Sequence, residues 1–489
     1  MNDSRHSSSL NLQQIARQVM QARGFEPDFP PEVQKQIADI KAHPPQLAPS
    51  AKVRDLRNLL WSSIDNDTSK DLDQIEVAER LPNGDVKIMI GIADVDAFVA
   101  KDSSIDQHAK RETTSVYTGV SIFPMLPNEL STGVSSLLEN SDRPAVVTEF
   151  VVNASGALSS SNVYRAIVRN KAQLTYNAVG TWLAGTAAAP PKVAASAELQ
   201  AQLKLQDQTA QALKNLRYEN GALDLDTSEL LPVLRDQQVV DVVKATKNRA
   251  TDLIEDFMVA ANGVVARLLE KVSSLRRIVR TPAHWDGIVR LAAEQGDKLP
   301  ATPDSKALNN FLVKRQASDP DHFADLSLAV IKLIGPGEYV LERPGDSPEG
   351  HFGLAVQDYT HSTAPNRRFP DVVTQRLIKA FLDRKPGPYS DNDLAAIALN
   401  CTQKGDAARK VEREMSKRLS ALAMSHRVGE TFDAMVTGVT PKGTFVRVNE
   451  PHMEGLLTQG GQGLNVGDKL RAKLVRTDVQ HGFIDFVKA

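Results

Sequence analysis

Residues 63–74 have the sequence SIDNDTSKDLDQ, which places four carboxylates within nine residues: Asp65, Asp67, Asp71 and Asp73. If the chain is extended here, Asp71 and Asp73 lie on one face, because strand side chains alternate with a period of two. Clustered like charges raise one another's pKa, and a divalent cation removes that conflict. Oxygen ligands suit Mg²⁺ or Mn²⁺, so the stretch predicts a metal site. A solvated acidic turn is the alternative.

Length, composition and net charge limit the number of domains and the class of protein that the chain can form. At 489 residues the chain is too long for one ordinary domain, and we expect about two to four. Hydrophobic residues at 41% and charged residues at 24% are typical of a globular protein with an ample core. The formal net charge of -2 excludes a uniformly basic nucleic-acid coat but leaves room for a local basic channel.

The single cysteine, Cys401, excludes an internal disulfide framework and favours a reducing cytoplasm. It lies in an apolar segment, which predicts a buried small residue rather than a nucleophile. The early residues lack the pattern of a signal peptide. No apolar run approaches the roughly 20 residues that span a bilayer. We therefore expect a cytoplasmic protein that does not contact membranes.

Residues 1–50 predict a small helical domain followed by a proline-rich linker. Apolar positions 12, 15, 19 and 20 have the spacing of an amphipathic helix that ends near Gly24. Pro31 opens a second helix, which carries Val33, Ile37 and Ile40 on one side. The segment is helix-turn-helix-like, and a plain helical hairpin docked on its neighbour is the alternative.

Residues 51–426 predict an α+β domain without an internal break. Alternating apolar residues at 86–93 and 145–152 predict strands. Helical patterns follow at 251–272 and 372–382. With the helical segment before this domain and a β-rich segment after it, the predicted fold class is multidomain.

Residues 427–489 predict a closed β-barrel of the OB type, because five short strand-like runs alternate with glycine. Gly438, KGTFV at 442–446, EGL at 454–456 and VGDK at 466–469 resemble an S1 domain, an RNA-binding OB barrel. In that family, exposed aromatic and basic side chains contact single-stranded RNA. The resemblance makes Phe445 a stacking candidate and Arg447 a phosphate or base contact. A core aromatic is the alternative for Phe445.

A series of motifs runs in order through the middle of the chain. They are the acidic stretch, IGIADV at 90–95, SVY at 115–117, FPMLP at 123–127, ELS at 129–131, HFGL at 351–354, TAPNRRFPD at 363–371 and RL at 376–377. Together they resemble the RNB catalytic domain of the ribonuclease II/ribonuclease R family over roughly residues 55–425. The resemblance implies processive 3′-to-5′ hydrolysis of RNA to nucleoside 5′-monophosphates. It also implies Mg²⁺ as the cofactor, with Mn²⁺ as a substitute.

By position, the resemblance makes Asp65, Asp71 and Asp73 the metal-binding acids, with Asp73 indispensable. Phosphodiester hydrolysis needs an activated water, neutralised phosphate charge and a stabilised leaving oxygen, which two metals about 4 Å apart supply. The family usually has a fourth acid where this chain has Gln74. An amide oxygen can coordinate a metal but brings no negative charge, which puts the second metal in doubt. Asp67 either compensates or is an exposed loop residue.

The resemblance also assigns contacts to RNA. Arg367 matches the family arginine that binds the scissile phosphate, which makes it a catalytic candidate together with Asp71 and Asp73. Tyr117 matches the aromatic that clamps the 3′-terminal base. Glu255 matches a residue near the ribose, where the 2′-hydroxyl separates RNA from DNA. Glu412 matches an acid near the 3′ nucleotide.

Three further RNA-binding candidates each have an alternative. Arg368 contacts a neighbouring phosphate or lies at the surface. Tyr218 is a second clamp or a packing residue. Arg413 recurs at helical spacing with Arg409, Lys417 and Arg418, which predicts a phosphate-facing wall or a solvated helix face.

The N-terminus departs from the family pattern. Family members commonly carry two cold-shock barrels before the catalytic domain, and about 50 residues are too few for one barrel and its linker. Helices in their place predict a more open channel entrance. We therefore expect the chain to accept single-stranded RNA and also structured RNA with a 3′ overhang. The resemblance implies a monomer.

Two other functions compete with the exoribonuclease. A catalytically silent RNB-fold RNA-binding protein is permitted by Gln74, whereas the intact Asp73, Tyr117 and Arg367 argue against it. A regulator that binds DNA through its N-terminal helices would need a basic segment there, and residues 1–50 are not notably basic. The sequence therefore favours the enzyme.

Overall fold

The computed structural model describes residues 11–489 apart from 227–229, 236–237, 245, 321 and 449–452. For residues 230–235 and 238–244 it describes the backbone alone. The first ten residues of the predicted N-terminal segment therefore lie outside the described residues. Across the described ranges, no helix combines the length and the apolar character needed to cross a bilayer.

The helices confirm the patterns predicted near residues 12–24, 251–272 and 372–382. In chain order they are α1 (Leu12–Ala22), α2 (Pro31–Ala42), α3 (Ser104–Glu112), α4 (Tyr176–Leu183), α5 (Pro191–Ala194), α6 (Ala197–Glu219), α7 (Arg249–Leu268), α8 (Trp285–Glu294), α9 (Ser305–Ser318), α10 (Phe323–Ile334), α11 (Phe369–Leu382) and α12 (Asp391–Met424). The longest, α12, has 34 residues and is about 50 Å long. It is long enough to contact all three parts of the protein.

The strands confirm the two predicted at 86–93 and 145–152. In chain order they are β1 (Val53–Asp55), β2 (Ser62–Asp65), β3 (Gln74–Arg80), β4 (Val86–Ala93), β5 (Val116–Tyr117), β6 (Ile122–Phe123), β7 (Asp142–Val152), β8 (Leu158–Arg169), β9 (Ala172–Thr175), β10 (Leu230–Arg235), β11 (Gln238–Lys244), β12 (Ser274–Ile278), β13 (Glu338–Glu342), β14 (Thr431–Thr440), β15 (Gly443–Val448), β16 (Met453–Gln459), β17 (Lys469–Asp478) and β18 (Phe483–Lys488).

The catalytic region is built on a seven-stranded sheet in the order β1-β8-β7-β4-β3-β2-β9. Its two faces bury different cores, as strand alternation requires. On β3, Ile75 and Val77 pack with Trp61 in one cluster, while Ala78 packs in a second cluster with Phe257 of α7. Strand β2 ends at Asp65 and β3 begins at Gln74. The acidic connection between them therefore lies at one end of the sheet.

The N-terminal helices dock on the catalytic region, which is the alternative that the sequence left open. Ala16, Val19 and Met20 of α1 share a buried cluster with Val411 and Met415 of α12. Helix α2 contacts α3. The apolar stripe that predicted an amphipathic helix is thus covered by the catalytic region rather than by a second helix alone.

Strands β14 to β18 form the closed barrel that the sequence predicted, and their order around it is β14-β15-β16-β18-β17. Ala421, Ala423 and Met424 at the end of α12 lie in the core of this barrel. The predicted fold class is therefore confirmed: an α+β domain with a helical N-terminal region and a C-terminal β-barrel of the OB type.

Arg447 on β15 is a second connection between the barrel and the catalytic region. Its guanidinium donates to both carboxylate oxygens of Asp325 on α10, at 2.6 and 3.0 Å. The Arg447 side chain is only 9% exposed. The sequence predicted an RNA contact for this residue, whereas in the structure its guanidinium faces outward from the barrel onto α10, which covers it.

We expect Arg447→Met and Asp325→Asn each to lower the free energy of unfolding by about 1–3 kcal/mol, because each leaves a largely desolvated partner unpaired. The double variant should lose no more than the worse single variant, since both remove one interaction. Urea unfolding of the four proteins measures this coupling. Additive losses would show that the two side chains act independently.

Candidate active site

The acidic connection is held in place by Ser136. Its hydroxyl accepts a hydrogen bond from the Leu72 amide at 2.9 Å and donates one to the Lys70 carbonyl at 2.7 Å. The Leu137 amide donates to the Leu72 carbonyl at 3.0 Å. The backbone on both sides of Asp71 is therefore fixed, although β3 itself begins only at residue 74.

A second segment, residues 363–371, meets this connection from the other side. The buried carboxylate of Asp371 accepts from the Ala364 amide at 2.8 Å and holds the segment in a turn. The segment also pairs with the chain before β5, because the Ser115 amide donates to the Arg367 carbonyl at 3.0 Å. Arg367 and the β5 residue Tyr117 are thus positioned by the same backbone contacts.

Asp73 connects the two segments. One of its carboxylate oxygens accepts from the Asn366 amide at 2.9 Å, and the other lies 3.4 Å from Arg367 Nε. The Asp73 side chain is 3% exposed, whereas that of Arg367 is 46% exposed. A buried carboxylate therefore sits behind a guanidinium that solutes can reach.

The electrostatics show that the predicted residues share one site. The pKa of Asp73 is raised to about 7, chiefly by burial and also by nearby Asp71, while Arg367 and the Asn366 amide lower it. Burial also raises the pKa of Asp71, and Asp65 adds to the effect. The pKa of Tyr117 is raised by burial, with further contributions from Asp71, Asp73 and Asp65. These five groups interact, as the resemblance implied.

The donor set suits a hard cation in its chemistry. Asp65, Asp71 and Asp73 offer only oxygen ligands, and their mutual repulsion is what a divalent ion relieves. Within the part of the chain that the structure describes, however, no group of three or more His, Cys, Asp or Glu side chains is arranged to hold a metal. These carboxylates would therefore have to turn toward a common ion.

The other predicted residues near this centre differ in their environment. Glu412 of α12 accepts from the Tyr117 amide at 3.1 Å, so it fixes the aromatic candidate. Arg368 turns away from Asp73 and donates to Asp371 at 2.7 Å. Gln74 is buried as the first residue of β3. By strand alternation its side chain lies on the same face of β3 as Glu76.

The remaining predicted RNA-binding residues lie away from the carboxylates. Tyr218 at the end of α6 interacts with Glu255 of α7, whose charge contributes to a pKa of Tyr218 that burial has already raised. Glu255 also pairs with Lys247 at 2.7 Å. Arg413 is exposed on α12, and Phe445 is half-buried on β15 of the barrel. Their roles toward RNA stay predictions.

Sequence reasoning missed two groups beside the acidic cluster. Glu76 on β3 is fully buried, and neither carboxylate oxygen has a hydrogen-bond partner in the described residues. Burial, together with Asp65, raises its pKa well above the ordinary value. Tyr176, which follows the strand paired with β2, interacts with Asp65 and Glu76. Only the parallel pairing of β2 and β9, formed over a long connection, brings Tyr176 here.

Comparison with known proteins matches both parts of the chain. Residues 53–384 match the RNB domain, and residues 430–489 match the RNase II-type exonuclease C-terminal S1 domain. Ribonuclease R of Thermotoga maritima is 30% identical over 495 aligned residues, which cover 94% of this chain and 68% of that protein. Both resemblances expected from the motifs are confirmed.

Solved structures of Mycoplasma genitalium RNase R share the fold. The complex with ribose-methylated single-stranded RNA has a TM-score of 0.85 at 23% identity, covering 98% of this chain and 78% of that one. The complex with double-stranded RNA has a TM-score of 0.84 at 24% identity, covering 98% and 83%. The chain spans between about half and two thirds of the length of the curated relatives it matches.

The raised pKa of Asp73 predicts that this residue destabilises the metal-free protein in a pH-dependent way. The folded-state pKa of about 7 exceeds the ordinary value of 3.8. Below about pH 4, Asp73 therefore has no effect on the free energy of unfolding. As the pH rises to about 7, Asp73 lowers this free energy progressively, by up to roughly 4 kcal/mol. In EDTA, Asp73→Asn should raise the unfolding midpoint at pH 8 and leave it nearly unchanged at pH 4. An equal shift at both pH values would contradict this assignment.

Proposed function

The chain belongs to the RNB-domain family, and on that premise we propose that it is a Mg²⁺-dependent 3′-to-5′ exoribonuclease. It hydrolyses RNA processively and releases nucleoside 5′-monophosphates. The observation that carries the proposal is the buried Asp73 carboxylate, held between the Asn366 amide and the accessible Arg367. Around it are the further carboxylates and the aromatic residue that phosphodiester hydrolysis at a chain end requires.

In this proposal Asp65, Asp71 and Asp73 hold Mg²⁺ or, in its place, Mn²⁺. When bound, such ions supply an activated water and neutralise charge on the scissile phosphate. Gln74 offers only an amide oxygen as a ligand. The negative charge available to bind a second ion is therefore smaller than it would be with an acid at position 74. A bound cation would favour the ionised form of these carboxylates at neutral pH, since burial and neighbouring acids raise the pKa of Asp73 to about 7.

Arg367 and Tyr117 act directly on the RNA. The Arg367 guanidinium is exposed enough to bind the scissile phosphate while its Nε stays near Asp73. Tyr117 is 39% exposed and can stack on the 3′-terminal base. Glu412 accepts from the Tyr117 amide and so positions the ring while it borders the 3′ nucleotide. Stacking and phosphate contacts are common to all four bases, which suits degradation of any sequence.

The substrate is single-stranded RNA, and structured RNA with a 3′ overhang is included. Phe445 on the barrel, together with Tyr218 and Glu255 on the catalytic domain, extends the contacts beyond the terminal nucleotide. A related RNase R in complex with double-stranded RNA supports the structured substrate. The enzyme acts as a monomer in the cytoplasm, where a single buried cysteine, Cys401, stays reduced.

The first test is gel analysis of two 5′-labelled RNAs, one single-stranded and one a hairpin with a 3′ overhang. With Mg²⁺ we expect a ladder that shortens from the 3′ end to a small limit product. Asp73→Asn should lower the rate at least about 10²–10³-fold, because it removes a buried charge from the metal site. Excess EDTA should abolish shortening.

Asp67→Asn is the matched control, because Asp67 lies exposed in the same connection and bonds only Asn177 among the described residues. It should keep the parental rate.

Tight RNA binding by the parent protein without shortening in Mg²⁺ or Mn²⁺ would contradict the proposal and identify a catalytically silent RNA-binding protein.

Position 74 provides a second test. Gln74→Asp should tighten Mg²⁺ binding about tenfold in calorimetry without RNA, because it adds one negative charge close to the ions. Gln74→Leu removes the amide oxygen and should weaken binding or leave it unchanged. Equal affinities in all three proteins would show that the side chain at position 74 does not reach the metal site.

A further inference from the structure

A cavity of about 200 Å³ lies behind the candidate active site. It is lined by the chain before β5, the paired strands β12 and β13, the start of α11 and the middle of α12. Its lining is rich in cationic and polar groups: Arg277, Arg368, Arg409, His361, Tyr339 and Glu412. Three guanidinium groups around one small polar cavity repel one another. Such an arrangement is unusual for a cavity that binds no ligand.

Arg277 is the group that the protein leaves uncompensated. Arg276 and Arg280 of the same segment pair with Glu342 at 2.7 Å and Glu338 at 3.0 Å. Arg277 has no carboxylate partner among the described residues and instead lies over the Tyr339 ring, 4.9 Å from its centroid. Burial lowers the pKa of Arg277, and the cations Arg409 and Arg368 lower it further.

The neighbouring cations already have acids of their own. Arg368 donates to Asp371 at 2.7 Å, but its Nε has no partner in the described structure. Arg409 pairs with Asp406. His361 adds no further positive charge at neutral pH, because burial and the same arginines lower its pKa well below the ordinary value. An anion in the cavity would therefore satisfy Arg277 and the free Nε of Arg368 together.

We propose that this cavity binds the phosphate group of a nucleoside 5′-monophosphate, so that it holds the reaction product behind the hydrolytic centre. The assignment to product rests on the proposed exoribonuclease activity. A phosphate monoester carries about two charges and matches the planar fork of guanidinium donors. The volume is below the roughly 300–1,000 Å³ of pockets for drug-sized ligands. The cavity thus fits the phosphate rather than a whole nucleotide.

The chain connectivity places this cavity next to the reaction. Arg367 faces Asp73 while the following residue, Arg368, faces the cavity. Glu412 lines the cavity and also accepts from the Tyr117 amide. A phosphate released beside Arg367 is therefore one residue along the chain from Arg368 and from the cavity in which Arg277 has no acidic partner among the described residues.

Calorimetry on the full chain in EDTA tests this without any hydrolysis. Adenosine 5′-monophosphate and inorganic phosphate are the ligands, with adenosine as the uncharged comparison. Binding of the monophosphate but not of adenosine is expected, and Arg277→Met should weaken it at least about tenfold. Arg280→Met, which removes an exposed, paired arginine three residues away, should leave affinity unchanged.

Three outcomes would overturn the proposal. The first is equal affinity in Arg277→Met and the parent protein. The second is loss of binding in Arg367→Ala but not in Arg277→Met, because it locates the phosphate in the hydrolytic centre. If inorganic phosphate binds through Arg277 and the monophosphate does not, the cavity is an anion site but not a product site, which also refutes the proposal.

The fold of the variant is checked independently. Removing one of three crowded cations should not lower the unfolding midpoint of the ligand-free protein, while the ligand-induced rise in midpoint should be lost. Arg277→Lys retains the charge without the fork and should bind with intermediate affinity. A protein that binds the monophosphate through Arg277 yet never shortens RNA would refute the enzyme assignment and leave the anion site intact.

Discussion

The burial of the Asp73 carboxylate is the constraint on which the centre of the structure depends. Removing a carboxylate from water costs several kcal/mol unless hydrogen bonds and opposite charge replace the lost hydration. Here that replacement comes from the Asn366 amide and the Arg367 guanidinium, which lie almost 300 residues along the chain. The two segments must therefore meet for the sheet end to be stable, and when they meet, the charged site is assembled. The compensation is incomplete, because the pKa of Asp73 stays raised to about 7.

The adjacent arginines 367 and 368 divide the charge of this region between two environments. Asp371 draws Arg368 inward, and the turn held by the Ala364 amide directs Arg367 toward Asp73. One guanidinium consequently faces solvent and the substrate side, while the other faces an internal cavity. A carboxylate four residues after Arg367 thus decides which of two identical side chains is available for phosphate. Helix α12 then ties the barrel and the N-terminal helices to the same region, since both pack along its length.

Periodic elements were predictable from the sequence, and pairings over long distances were not. The strands at 86–93 and 145–152 and the barrel runs follow from alternation, which is a local property. The resemblance to an S1 domain made Arg447 an exposed RNA contact on the outside of its strand. It could not show that α10 covers that outside, because the deciding partner, Asp325, is 122 residues away. For the same reason Arg277 is indistinguishable from Arg276 in the sequence, although within the described part of the chain Arg276 pairs with an acid, Glu342, and Arg277 does not. The ordered motifs did identify the acidic cluster, Arg367 and Tyr117, because each of these lies within a short recognisable run.

The buried carboxylate of Glu76 explains why an uncharged glutamine is favourable at position 74. Residues two apart on a strand share a face and lie about 6.6 Å apart, so an acid at position 74 would stand beside the buried Glu76 carboxylate. Glu76 already has no hydrogen-bond partner among the described residues, and Asp65 already opposes its ionisation. A second acid on that face would add like-charge repulsion to an unsatisfied desolvation cost. The amide at 74 therefore keeps this face at one carboxylate. The side chains at positions 74 and 76 share one face, so the charge at one position affects ionisation at the other. The effect of Gln74 on metal binding therefore depends on whether Glu76 is ionised.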